Sequence, residues 1–89
     1  MEKTFYSIDQ LLERVALNPK VMVGKPVIRG TRVPVELIVK MLAQGIAEEE
    51  ILQEYPRLKP EDVKAALAYA SVMLNNDEFI PLIETELVA

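Results

Sequence analysis

Between Pro34 and Asn75 the apolar residues recur at spacings of three and four, and Gly45 and Pro56 interrupt them. That pattern fits α-helix and excludes a sheet for this half of the chain. Pro34 suits the first position of a helix, where its missing N–H is no loss. Leu37, Ile38, Met41 and Leu42 form the expected buried stripe, and Gly45 is a natural stop. A short acidic helix is expected at about residues 47–55, with Ile51, Leu52 and Tyr55 inward and Glu48-Glu49-Glu50 in the first turn, where negative charge favours the helix dipole. After the tight connection Pro56-Arg57-Leu58-Lys59, Pro60 opens the longest helix, with Val63, Ala66, Leu67, Ala70 and Leu74 as its buried face. Asn75-Asn76-Asp77 breaks it. Three helices in this arrangement predict a trihelical helix-turn-helix core over residues 34–75.

The N-terminal part reads differently. Ser7, with Gln10 three residues on, predicts a capped helix whose apolar face is Ile8, Leu11, Leu12 and Val15 and which stops at Asn18-Pro19. Residues 21–34 hold short β-branched pairs around Gly30, with Gly24 and Gly30 free to adopt positive φ, and predict a small hairpin or extended clip. The fold class is therefore mainly α, with an N-terminal helix and a short β clip ahead of the trihelical core. Residues 77–89 still carry Phe79, Ile80, Leu82, Ile83, Leu87 and Val88, too much apolar surface to leave in water. This tail either completes the core or forms a dimer or partner contact.

Composition removes several functions. With neither cysteine nor histidine, the chain lacks disulfides, thiolate metal sites and the commonest general base. No nucleophile, base and orienter stand out as a set, so no enzyme, cofactor or metal is expected. No apolar run approaches a membrane span, and the N-terminus lacks the basic region and apolar run of a signal peptide, which predicts a cytoplasmic protein. The net charge is −4, yet residues 20–40 sum to +4 while residues 41–89 sum to −7. A basic segment with Lys25, Arg29 and Arg32 thus precedes an acidic helical body. These features predict a binding module acting through a partner macromolecule.

The run Gly24-Lys25-Pro26-Val27-Ile28-Arg29-Gly30-Thr31-Arg32-Val33-Pro34-Val35 is the most specific motif in the chain. It continues through Leu37, Gly45, Glu49-Glu50-Ile51-Leu52, Tyr55-Pro56-Arg57-Leu58 and Pro60-Glu61-Asp62-Val63 to Ala65-Ala66-Leu67-Ala68-Tyr69-Ala70. Over about residues 15–75 the chain resembles a widespread prokaryotic domain family of formally unknown function. The resemblance implies a homeodomain-like helix-turn-helix fold and an antitoxin role of VapB type beside a PIN-like ribonuclease toxin. Residues 1–76 would form that domain, with residues 77–89 outside the resemblance. Ala47 and Lys59 stand where such sequences often place a capping Ser, Thr or Asp, so both helix starts are expected to be weak.

Two sets of site residues follow. A PIN-like nuclease holds its metals in carboxylates, which guanidinium groups match in charge and planar geometry. Lys25, Arg29, Gly30, Thr31 and Arg32 are the candidate partner-binding residues; the alternative is that both arginines pair with the protein's own glutamates and anchor the clip. Arg57, Lys59 and Lys64 are the candidates for operator DNA, in the alternative reading as a regulator or autorepressor, and a homodimer is expected in either. The third helix opens with Glu61 and Asp62, which opposes the phosphate attraction that dominates DNA affinity. Gly24-Lys25-Pro26 is no phosphate loop, because the second glycine and the hydroxyl residue of that motif are missing.

Overall fold

The structure, a computed structural model, describes residues 5–17 and 24–76. It is mainly helical with one small sheet: α1 (Ile8–Leu12), β1 (Val15–Leu17), β2 (Pro26–Ile28), α2 (Val35–Ala43), α3 (Glu48–Glu54) and α4 (Pro60–Asn76). β1 and β2 pair antiparallel with Val15 opposite Ile28, Ala16 opposite Val27 and Leu17 opposite Pro26. α4 packs against α1, α2, α3 and both strands, so it is the central strut.

The N-terminal helix is shorter than its apolar spacing predicts. It ends at Leu12, and Val15 belongs to a strand. Val15 is buried in either conformation, so its position in a helical pattern does not distinguish the two. Pairing with β2 decides the matter, because Val27 and Ile28 need a partner strand. Ser7 caps α1 as expected, its hydroxyl oxygen accepting from the Gln10 N–H at 3.4 Å. The expected stop at Asn18-Pro19 and the tail 77–89 lie outside the described residues.

The clip forms with a different partner for its first strand. β2 runs along β1, and the segment after it doubles back so that Val27 bridges Pro34. Ile28 N–H donates to the Val33 carbonyl at 3.0 Å, and Thr31 N–H to the Ile28 carbonyl at 3.0 Å. Gly30 at the tip has φ +83°, a left-handed conformation costly for side-chain residues.

The helix boundaries of the core follow their local signals. Pro34 is the residue before α2, one position earlier than expected, and its carbonyl accepts from Leu37 and Ile38. At the other end Gly45, at φ +91°, lets its N–H reach the Leu42 carbonyl while Ile46 N–H reaches Met41, each at 3.0 Å. Those two bonds form a Schellman motif. The helices meet over Ile38, Ile51, Val63, Ala65 and Ala66, all 2% exposed or less. Complete burial of an Ile side chain contributes roughly 1.5–3 kcal/mol, so Ile38 and Ile51 are major contributors. Small Ala65, Ala66 and Ala68 let neighbouring elements approach α4 closely. Leu67 and Leu74, expected inside, are 48% and 72% exposed. Asp62 takes the inward position that a purely apolar stripe would assign to a hydrophobic residue.

Neither α3 nor α4 starts weakly. At α3 the Ala47 side chain cannot cap, but Glu50 Oε1 accepts from Ala47 N–H at 3.1 Å. At α4 the Asp62 Oδ2 accepts from Lys59 N–H at 2.8 Å. In both, the carboxylate of the third helical residue supplies its half of a capping box. Glu50→Ala is expected to lower stability by about 0.5–1 kcal/mol, and Glu49→Ala, one residue away, by far less. Urea unfolding followed by circular dichroism measures both; equal effects would count against the cap.

Candidate interaction surface

Arg29 lies directly after β2 and is fastened at three points. Its N–H donates to the Arg14 carbonyl at 2.7 Å, Nε to the Glu13 carbonyl at 2.7 Å, and Nη2 to the Val15 carbonyl at 3.0 Å. The guanidinium therefore closes the corner between α1 and β1, using main-chain carbonyls and not the glutamate carboxylates. The residue stays exposed, and Nη1 makes no bond among the described residues.

Thr31 is spent on the turn. Its hydroxyl donates to the Ile28 carbonyl at 2.8 Å and accepts from Val33 N–H at 3.0 Å. The Gly30 carbonyl accepts from Arg57 Nη1 at 3.2 Å, which draws the α3–α4 loop onto the clip tip. Lys25 pairs with Glu36 at 3.1 Å, both side chains being largely exposed. Such a pair contributes about 0–1 kcal/mol. Arg32 is exposed and makes no hydrogen bond or ion pair among the described residues.

The second set of candidates divides. Arg57 and Lys59 flank Leu58 in the α3–α4 loop, and Arg57 joins the clip. Lys64 lies elsewhere, its Nζ 5.7 Å from the centre of the Tyr6 ring on the α1 side of α4. A cation over an aromatic face contributes about 0.5–1 kcal/mol at such an exposed site.

Two residues outside both sets organise this surface. Asp62 is 5% exposed, and its Oδ1 accepts from Arg14 Nη1 at 2.9 Å. Arg14 and Asp62 are 48 residues apart in sequence, and no spacing rule joins them. An acidic residue three positions after Lys59 was the available signal for the cap, though not for the ion pair. Hydrogen bonds and chain continuity thus run from Arg57 through Gly30 and Arg29 to Arg14, Asp62 and Lys59, joining Arg29, Arg57 and Lys59 in one network.

Fold and surface together define a small helical domain that presents a basic clip braced by its longest helix. The chain belongs to the family described as protein of unknown function DUF433, whose model matches residues 15–70. That span opens at β1 and ends within α4, so it contains the clip and leaves α1 outside. The uncharacterised protein y4eO of Sinorhizobium fredii is 40% identical over 58 residues, which are 65% of this chain and 26% of the relative. The chain thus spans about a quarter of that relative's length. An uncharacterised protein of Archaeoglobus fulgidus is 57% identical over 30 residues, 34% of this chain and 83% of that one. The crystal structure of a DUF433 member protein from Anabaena variabilis has a TM-score of 0.66 at 34% identity, covering 76% of this chain and 67% of that one.

The two clip arginines should separate in a stability measurement. Arg29→Ala removes the donors of the Glu13 and Val15 carbonyls and is expected to cost about 1.5–3 kcal/mol. Arg32→Ala is expected to stay within about 0.5 kcal/mol of the parent. Thermal and urea unfolding of the two variants side by side checks the contrast, and equal losses would refute it.

Proposed function

We propose that this chain is a VapB-type antitoxin that binds and neutralises a PIN-like ribonuclease through the basic face of its clip. The observation that carries the reading is the arrangement of arginines. Arg29 is exposed and held by main-chain carbonyls that leave Nη1 without a bond among the described residues, Arg57 is fastened to the clip tip, and the exposed Arg32 is uncommitted among the described residues. A rigid guanidinium loses little side-chain entropy on binding. Planar, permanently charged donors suit the carboxylates with which such a nuclease holds its metals. The cations gathered in residues 20–40 of an otherwise acidic chain favour an acidic partner at that segment.

A homeodomain-like helix-turn-helix arrangement of α2, α3 and α4 fits the same fold, and with it an autorepressor acting as a homodimer. The loop position of Arg57 and Lys59 favours phosphate contact from the clip end. α4 favours no groove reading: its one cation, Lys64, is half-buried and sits over the Tyr6 ring, and its exposed positions Pro60, Leu67, Ser71, Met73, Leu74 and Asn75 contribute a single amide, whereas base readout relies on several Arg, Lys, Asn or Gln side chains in the groove. No helix of the described residues is long and apolar enough to cross a membrane, and a cytoplasmic site of action fits a nuclease inhibitor.

The test is to recover the tagged chain from its host after nuclease treatment and to identify bound proteins by mass spectrometry. A PIN-like protein in near-equal amount is expected, and Arg32→Ala should weaken that complex about tenfold or more without loss of stability. Recovery of the chain alone, with DNA binding that falls steeply with salt, would replace the antitoxin by the regulator.

A further inference from the structure

Between α2 and α4 lies an open, largely apolar groove of about 490 Å³, lined by Val39, Ala43, Tyr69, Ala70 and Met73 among others. It lies away from the clip tip and plays no part in the binding proposed above. Lys40 stands on its rim and makes no ion pair among the described residues. We propose that this groove is the docking site for residues 78–89 of the same chain.

Three observations select that occupant. α4 ends at Asn76, less than one helical turn beyond Met73, so the following segment leaves from the groove's own wall. That segment carries Phe79, Ile80, Leu82, Ile83, Leu87 and Val88, apolar side chains that favour a place out of water. Its charges are also one-signed, Glu78, Glu84 and Glu86 with no base; the groove rim holds Lys40 together with Glu36, whose carboxylate is paired with Lys25. A second groove, between α1 and α4 at Ile8, Val72, Leu74 and Asn75, lies nearer the end of α4, but its lining is more polar and holds no cation. A tether of a few residues presents the segment at an effective concentration of about millimolar or more. A separate copy competes poorly with that at ordinary protein concentrations.

The absence of native cysteine makes disulfide trapping clean. Ala43→Cys, at an exposed groove position, is combined in the full chain with one cysteine at Phe79, Ile80, Leu82 or Ile83. The control places the first cysteine at the exposed Gln53 on α3. At low micromolar protein, at least one Ala43→Cys combination should form an intramolecular disulfide about tenfold faster than its Gln53→Cys counterpart. Adding Lys40→Glu should slow it. Circular dichroism before oxidation verifies that each variant is folded. Rates no faster than the control at every tail position would overturn the proposal. A disulfide that forms only between molecules, faster at higher concentration, would assign the groove to a second copy instead. Neither result bears on the Arg32 complex, so the two readings fail separately.

Discussion

The Asp62 carboxylate is the constraint on which the rest depends. A charge this deeply buried is tolerated only when its oxygens are bonded, and here each oxygen serves a different element. Oδ2 takes the Lys59 N–H and fixes where α4 begins; Oδ1 takes Arg14 and fixes where the corner after α1 sits. The Arg14 carbonyl in turn receives the Arg29 N–H, and the Arg29 guanidinium bridges to Glu13 and Val15. A chain of bonds, charge-assisted at Asp62 and at the Arg29 guanidinium and joined by one main-chain bond, thus carries position from the core helix to the clip. In a domain of this size, with a modest core, such connections set geometry that apolar packing alone leaves loose.

Much of the helical core was legible because its signals are local. Pro34, Gly45 and Pro60 mark boundaries through backbone restrictions that act within a few residues, and the structure places the boundaries within one residue of them. Gly30 marks the clip tip for the same reason. The failures share the opposite property. Val15 satisfies a helical spacing and a strand equally well, and only β2, beyond a separate segment, resolves it. Leu67 and Leu74 match an apolar period, yet the inward face of α4 is set by which neighbours surround it, and these favour Asp62 and the alanines. Ala47 and Lys59 offer no capping oxygen, so the cap position alone predicts weak helix starts. The compensating carboxylate stands three residues later at both Glu50 and Asp62.

The candidate surface was legible in composition and not in arrangement. A run of cations from Lys25 to Arg32 is visible in the sequence, whereas their division of labour is not. Arg29 and Thr31 hold the clip together, Arg57 joins it from the α3–α4 loop, and Arg32 makes no hydrogen bond or ion pair among the described residues. Arg29 therefore anchors the fold, through carbonyls and not through glutamates, while Arg32 three residues on does not. The family match covers this unit from β1 into α4, and the frame and the surface it supports fall within that span, apart from the Glu13 carbonyl and Arg14, with both its carbonyl and its guanidinium, just before it.

The most direct test of this account is a double-mutant cycle on Arg14→Ala and Asp62→Ala, measured by urea unfolding of both single variants and the pair. If Asp62 ties the clip's base to α4, the two losses should be non-additive, with a coupling of about 1–3 kcal/mol. Losses that add to within about 0.5 kcal/mol would mean that the two residues act independently. In that case the carboxylate serves only the start of α4, and the clip is held by other means.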